Sequence, residues 1–260
     1  MKITAVIVAA GNGTRMGGVI NKVFLPLGNN AVIDYTINSI SQSEKIDNII
    51  LVTREDDINE AEKHKKYACK PIKIVKGGKT RQESVRNGIC AAKDADIVVI
   101  HDGARALITT DLTDRCIEDC IKYKAAAAGV ICKDTLKQAD ENGFIDKTLD
   151  REITYCIQTP QVFYRKEICE AHEKAVEEKV SVTDDCALYE KYIGKVKITK
   201  GSYDNIKITT PDDMIIAKNI LKNSNLIKII NGRRKINNAV KILVQQKIIK
   251  SFIKRTKNNR

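Results

Sequence analysis

A chain of 260 residues, 43% hydrophobic and 30% charged, accommodates one large globular domain with a substantial core, or one domain plus an appendage. The formal charge of +12 is unevenly placed: residues 223–260 hold 7 Lys, 4 Arg and no acid, which leaves 34 basic against 33 acidic groups in the preceding 222. The body is therefore nearly neutral, no sequence-specific nucleic-acid partner is expected, and no run of about 18 apolar residues offers a membrane span.

Residues 6–10 form an apolar run, extended from Ile3, that reads as a buried strand of a parallel sheet. The strand breaks into Gly11-Asn12-Gly13, with Arg15 and Lys22 beyond. A helix is expected over 32–40, a strand over 48–53, a charged helix over 56–67 and a strand over 72–75 that ends in Gly77-Gly78. A helix over 81–92, a strand over 97–100 ending in His101-Asp102, a helix over 112–123 and a strand over 126–131 follow. This alternation predicts an α/β protein with a doubly wound, mostly parallel sheet, whose ligands bind outside the carboxyl ends of the strands. It fails between 133 and 158, where two extended stretches (135–137 and 154–157) flank a turn at Glu141-Asn142-Gly143. That pattern reads as a projecting β-arm. Helices over 166–177 and 184–192, a strand over 196–199, a short segment over 205–209 and a helix opened by Pro211 complete a domain of residues 1–222, followed by a basic extension over 223–260.

Eight scattered cysteines form no Cys-x-x-Cys pair and have no histidine at ligand spacing, so free thiols in a reducing cytoplasm are expected. The N-terminal apolar run is too short for a signal peptide.

Several segments carry chemistry. A Gly-rich turn leaving a buried strand lets backbone N–H groups approach phosphate oxygens, and Arg15 and Lys22 add positive charge there. The segment Lys76-Gly77-Gly78-Lys79-Thr80-Arg81-Gln82-Glu83-Ser84 is a second glycine turn opening a helix, an arrangement that suits an anion but equally an ordinary capped helix. Asp102, at a strand end, suits the Mg²⁺ that accompanies a triphosphate. His101 reads as an orienting or packing residue. Asp134-Thr135-Leu136-Lys137, Thr148-Leu149-Asp150-Arg151 and Gln158-Thr159-Pro160-Gln161 lie in or beside the arm, and Asp204-Asn205-Ile206-Lys207-Ile208-Thr209-Thr210-Pro211 precedes a helix.

The opening loop resembles the signature of the sugar-phosphate nucleotidylyltransferases. In order from about residue 3 to 222, the segments resemble the 2-C-methyl-D-erythritol 4-phosphate cytidylyltransferases of the isoprenoid pathway. The resemblance implies a Rossmann-like nucleotidyltransferase that couples CTP to the sugar-alcohol phosphate and releases pyrophosphate. It implies that Arg15 and Lys22 act on the CTP phosphates, and that Arg151 and Lys207 grip the incoming 4-phosphate. Thr135 would touch the same substrate, and Asp102 would hold Mg²⁺, with Asp204 a second metal candidate. Ala9, Ala10, Gly11, Gly13, Gly78, Ser84 and Gly103 match nucleotide-contacting positions. A homodimer whose arms exchange Thr135 and Arg151 is also implied. Many members carry Pro where this chain has Asn21 and Ala106, and looser loops are expected at both.

The nearest alternative is a ribitol-5-phosphate cytidylyltransferase, a sister branch; residues 133–137 and 149–152 favour methylerythritol phosphate. A non-catalytic protein acting through its basic tail is the alternative from another class. For the tail, apolar residues recurring at near-helical spacing admit weak binding to an anionic surface, packing on the body or the dimer partner, or a solubilising end.

Overall fold

The computed structural model describes residues 1–11 and 21–223; Gly13 and Arg15 and nearly all of the extension lie outside them. Contacts divide the chain into Met1–Ala217 and Lys218–Arg260.

The first strand, β1 (Ile3–Ala9), has six of seven residues buried, because helices cover both faces of the sheet. Next come a short hairpin, β2 (Pro26–Leu27) and β3 (Asn30–Ala31), then α1 (Val32–Ser41), whose Asp34 carboxylate accepts the Ala31 N–H at its start. The chain continues through β4 (Asn48–Thr53), α2 (Ile58–His64), β5 (Ile72–Lys76), α3 (Arg81–Ala91), β6 (Ile97–Asp102), α4 (Thr110–Tyr123) and β7 (Ala125–Ile131). Thr80 and Thr109 cap α3 and α4 with their hydroxyl oxygens. The arm carries β8 (Lys137–Ala139) and β9 (Ile145–Thr148); β10 (Tyr155–Tyr164), α5 (Arg165–Glu177), α6 (Asp185–Tyr192) and β11 (Lys197–Lys200) follow. A last helix begins at Pro211.

Seven strands make one sheet in the order β11-β7-β10-β6-β1-β4-β5. The pairs β1–β4, β1–β6, β4–β5 and β7–β11 are parallel, and β10 runs antiparallel to both neighbours. Alternate residues feed opposite cores: Ile97 and Val99 face α1 and α4, whereas Val98 and Ile100 join Val85, Ile89 and Ile168 of α3 and α5. Each fully buried Val or Ile contributes about 1.5–3 kcal/mol of transfer free energy. Gly88 brings α3 close: a Cβ there would lie 2.4 Å from Val6 Cγ1 and 2.8 Å from Val52 Cγ2.

One expectation needs correction. The stretch 154–157 does not pair with the arm; it opens β10, which sits centrally between β6 and β7. A proline argues against a central strand, but Pro160 lies where the β7–β10 register shifts between Ile157 and Gln161, so its missing N–H is tolerated there. The arm's own hairpin is β8–β9, turning at Asp140–Phe144. Segment 205–209 is irregular and is held by side-chain bonds.

Candidate active site

Because β1, β5 and β6 are parallel, their carboxyl ends share one edge of the sheet, and β10 starts from the same edge. The end of β1, the turn Lys22–Phe24, the turn before α3, the end of β6 and segment 205–209 enclose a cavity of about 380 Å³. Of the residues singled out by sequence, Ala9, Ala10, Gly11, Lys22, Ser84, Asp102 and Lys207 line it. A second cavity, of about 440 Å³, shares Arg81, Asp102 and Lys207 with the first and adds Arg105, Gln158, Thr159, Gln161, Thr183 and Asp184. Those three shared side chains are the wall between two chambers.

Asp102 is the hub of that wall and is 7% exposed. Its Oδ1 accepts from Arg81 Nε at 3.1 Å, its Oδ2 lies 2.8 Å from Lys207 Nζ and 3.9 Å from Arg105 Nε. Burial alone would raise the carboxyl; Arg81 and then Lys207 outweigh it and hold the acid far below the usual carboxylate range. Its own N–H donates to Thr159 Oγ1 at 3.0 Å, and that hydroxyl lies 3.0 Å from His101 Nδ1. Thr159 thus joins the antiparallel strand to the hub. Burial pushes the enclosed His101 imidazole down to about 4, against the pull of Asp102, so at neutral pH it is an uncharged packing group.

Lys207 reaches the wall because its segment is tied at both ends. Buried Asn205 donates from Nδ2 to the Thr159 carbonyl at 2.9 Å and to Gln158 Oε1 at 3.2 Å, and Arg105 Nη1 donates to the Asn205 carbonyl at 2.7 Å. The Ile208 N–H donates to the Ala104 carbonyl, and Asp213 accepts from Thr209 at the start of the last helix.

Arg81 lies within a recognised motif, yet its role is not evident from the sequence. Its guanidinium bridges Asp102 and Asp185, donating from Nη1 to Asp185 Oδ2 at 2.9 Å; Asp185 is 1% exposed and also holds His172 Nε2 at 3.2 Å. Burial would lower the arginine, but Asp185 and Asp102 together raise it further above its ordinary range. Its place at the first helical position after a glycine turn was the available signal. Asn205 and Thr159 were visible only as parts of motifs.

Other expected contacts are placed differently. Ser84 lines the cavity, but its hydroxyl donates to the Thr80 carbonyl and accepts the Gly78 N–H, so it buttresses the turn. Both glycines of that turn permit close approach: a Cβ would stand 2.6 Å from Ala10 Cβ and 2.9 Å from Ser84 Oγ at Gly77, and would clash with Glu83 at Gly78, which lines neither chamber. Gly103 packs under Ile33 and Ala9 and lines neither chamber, although its N–H donates to the Val8 carbonyl. Asp204 is exposed and is also absent from both linings. Thr135 and Arg151 are exposed on the arm and do not reach this chain's own chambers. Asn21 and Ala106 are buried, and the Asn21 amide donates to Ala9 and Asp57; most of the loop expected to be loose before Asn21 lies outside the described residues.

The chemistry of such a site is that of polyanions. Lys22, Lys79, Arg81 and Lys207 face the first chamber against one carboxylate. Among the described residues no group of three metal-type side chains gathers.

Residues 3–223 match the family described as 2-C-methyl-D-erythritol 4-phosphate cytidylyltransferase, IspD. The enzyme of that name from Caldanaerobacter subterraneus subsp. tengcongensis is 47% identical over 226 residues, covering 85% of this chain and 100% of the relative. The one from Clostridium novyi is 47% identical over 229 residues, covering 85% and 97%. Among solved structures, the 4-diphosphocytidyl-2C-methyl-D-erythritol synthase of Anaerococcus prevotii superposes with a TM-score of 0.77 at 35% identity, over 85% of this chain and 98% of that one. With a mostly parallel sheet, a cationic two-chambered edge and a family match over residues 3–223, the chain belongs to the 2-C-methyl-D-erythritol 4-phosphate cytidylyltransferases, nucleotidyltransferases of isoprenoid biosynthesis.

Proposed function

We propose that the family's reaction, transfer of the cytidylyl group of CTP to 2-C-methyl-D-erythritol 4-phosphate, runs across the wall of Arg81, Asp102 and Lys207. CTP occupies the chamber beneath Ala9, Ala10, Gly11 and Lys22, and the sugar-alcohol phosphate occupies the chamber offering Thr159, Thr183 and Gln158. An oxygen of the 4-phosphate attacks the α-phosphorus in line, the new P–O bond forms as the bond to the β-phosphate bridging oxygen breaks, and pyrophosphate leaves. A phosphate nucleophile is already ionised at neutral pH, so no general base is required, and the neutral His101 has none of that work to do. What the reaction needs is positive charge held at fixed places. Lys207 stands where the two anions meet; Lys22 and Arg15 serve the triphosphate. The observation that carries this reading is that Lys207 and Asp102 line both chambers while 2.8 Å apart.

A divalent cation fits the donor set in a limited way. Each Asp102 oxygen has one short cationic partner and retains lone-pair capacity, so Asp102 offers a single carboxylate, the number Mg²⁺ uses when phosphate and water complete its shell. When bound it would neutralise charge on the phosphates. Asp204, exposed and lining neither chamber, is not part of that donor set.

The second chamber has few cations of its own, and the arm offers Arg151 and Thr135 with nothing to hold. A second copy of the chain supplying both residues completes the phosphate grip, and the apolar Phe144, Ile145 and Ile153 exposed on the arm give such a homodimer its contact surface. Catalysis in the cytoplasm accords with the eight unpaired cysteines.

The deciding experiment is pyrophosphate release from CTP with each sugar-alcohol phosphate, with and without Mg²⁺. Rapid Mg²⁺-dependent turnover with methylerythritol phosphate and little with ribitol 5-phosphate is expected; the reverse preference would refute the substrate assignment.

A further inference from the structure

Asn21 stands immediately before Lys22 and is 1% exposed. Its side-chain amide donates to the Ala9 carbonyl at 2.6 Å and to Asp57 Oδ2 at 3.0 Å, while its Oδ1 accepts the Val23 N–H at 3.4 Å. Both amide hydrogens are used, each on a different element. The Ala9 carbonyl is the last of β1, on the floor of the first chamber. Asp57 is itself gripped by Arg54, which donates from Nε at 2.6 Å and from Nη2 at 2.9 Å in the planar two-pronged geometry that fixes orientation. Arg54 directly follows the last residue of β4. The short turn Lys22–Phe24 is thereby capped by Asn21 and tied to the ends of two neighbouring parallel strands.

A lysine ammonium is a point charge on a flexible stem, so its effect on a phosphate depends on where its backbone is held. Val23 in the core and Phe24 stacked on His64 anchor the body of the turn. The side-chain ties of Asn21 fix its start, next to Lys22, against two strand ends.

We infer that Asn21, backed by Asp57 and Arg54, is a positioning residue for the transfer reaction, setting Lys22 against the triphosphate. The inference rests on the cytidylyl-transfer reading. It differs from an ordinary turn cap in one consequence: loss of Asn21 acts through Lys22 and through the phosphates, and leaves the cytosine, ribose and sugar-phosphate contacts intact. Displacement of a charged group by about 1 Å costs on the order of 10²-fold in such reactions.

The test is a double-mutant cycle of Asn21→Ala and Lys22→Ala, with Asp57→Ala as a second approach to the same tie. Turnover with CTP is measured alongside calorimetric binding of CTP and of CMP, which lacks two phosphates, and thermal midpoints report folding. Asn21→Ala is expected to lower kcat/KM for CTP about 10- to 100-fold, to weaken CTP but not CMP, and to leave KM for the sugar phosphate within about twofold. In the Lys22→Ala background it should cost less than about twofold more. Asp57→Ala should follow the same pattern more weakly. Losses that multiply undiminished in the Lys22→Ala background, equal weakening of CTP and CMP, or an Asn21→Ala enzyme equal to wild type would each overturn the inference. If Asn21→Ala does not fold, the same cycle with Asp57→Ala decides on the same criteria. A wild-type protein that binds no CTP removes the transfer reading and this inference together; CTP binding with an unaffected Asn21→Ala removes only the inference.

Discussion

The two regions that the proposed reaction brings together, the chamber wall and the arm, are built on opposite terms. At the wall, Asp102, Asp185 and His101 are 7%, 1% and 0% exposed, and each charge has its counter-charge within the same chain. On the arm every residue of β8 and β9 is exposed, and Phe144, Ile145 and Ile153 leave 72%, 66% and 76% of their surface open. A two-stranded hairpin of this kind is marginal alone; what orders it locally is an Asp140 carboxylate accepting the Asn142 and Phe144 N–H groups. The wall is preorganised within one chain. The arm presents apolar side chains that the other described residues leave exposed.

The contrast breaks most severely at Asp102. Asp102→Ala leaves Arg81, Arg105 and Lys207 facing one another at a buried position, and removing one partner of a buried ion pair typically costs about 3–5 kcal/mol. A large drop in the urea midpoint and a loss of more than about 10³ in turnover are expected, whereas Arg151→Ala on the arm should shift stability by less than about 0.5 kcal/mol. Equal midpoints for the two variants would remove the distinction. Lys207→Ala sharpens it: the side chain is 37% exposed and Asp102 keeps Arg81, so the fold should hold while turnover falls about 10²–10³-fold.

Acid separates the regions next. The folded value of His101, about 4, lies below its ordinary 6.5, because the fold favours the neutral ring. Its contribution is therefore complete above about pH 6.5 and is lost as the pH falls toward 4, with one proton taken up on unfolding in that window. Over roughly 2.5 pKa units this is of order 3 kcal/mol. Urea midpoints at pH 7, 5.5 and 4.5 should decline with that slope, His101→Asn should flatten it by one proton, and Phe144→Ser on the arm should leave the slope alone. An unchanged slope in His101→Asn would place the acid sensitivity elsewhere.

The same divide explains what the sequence disclosed. Strands β1, β4 and β6 were legible because burial on both faces writes an unbroken apolar run, and α1, α3 and α4 because one face alternates at helical spacing. Strand β10 was not, since Cys156, Gln158, Thr159, Pro160 and Gln161 carry neither pattern; the polar ones are there to reach His101, Asp102, Asp184 and Asn205. Lys22 and Asp102 stood out as a cation beyond a glycine turn and a carboxylate at a strand end, and Lys207 through the family resemblance of its motif. Arg81 and Asp185 were not, because their meaning lies in a bond spanning 104 residues. The ties of Asn21 to Ala9 and Asp57 were equally hidden, since no local pattern records tertiary hydrogen bonds.

The smallest effect bears on the arm itself. Lys22 lines the chamber of its own chain, while Arg151 is exposed and lines neither chamber of that chain. If the partner copy supplies Arg151, Lys22→Ala and Arg151→Ala lie in different subunits of any one site. A mixed dimer of the two inactive variants then holds one site with both lesions and one with neither. Random re-association makes about half the dimers mixed, so about a quarter of wild-type activity should return after mixing, a roughly fourfold shortfall instead of near-complete loss. Were both residues to serve the site of their own subunit, every site would keep one lesion and mixing would restore nothing. Subunit exchange verified by differently tagged chains, with activity still at the parental level, would show that the arm does not complete the neighbouring site.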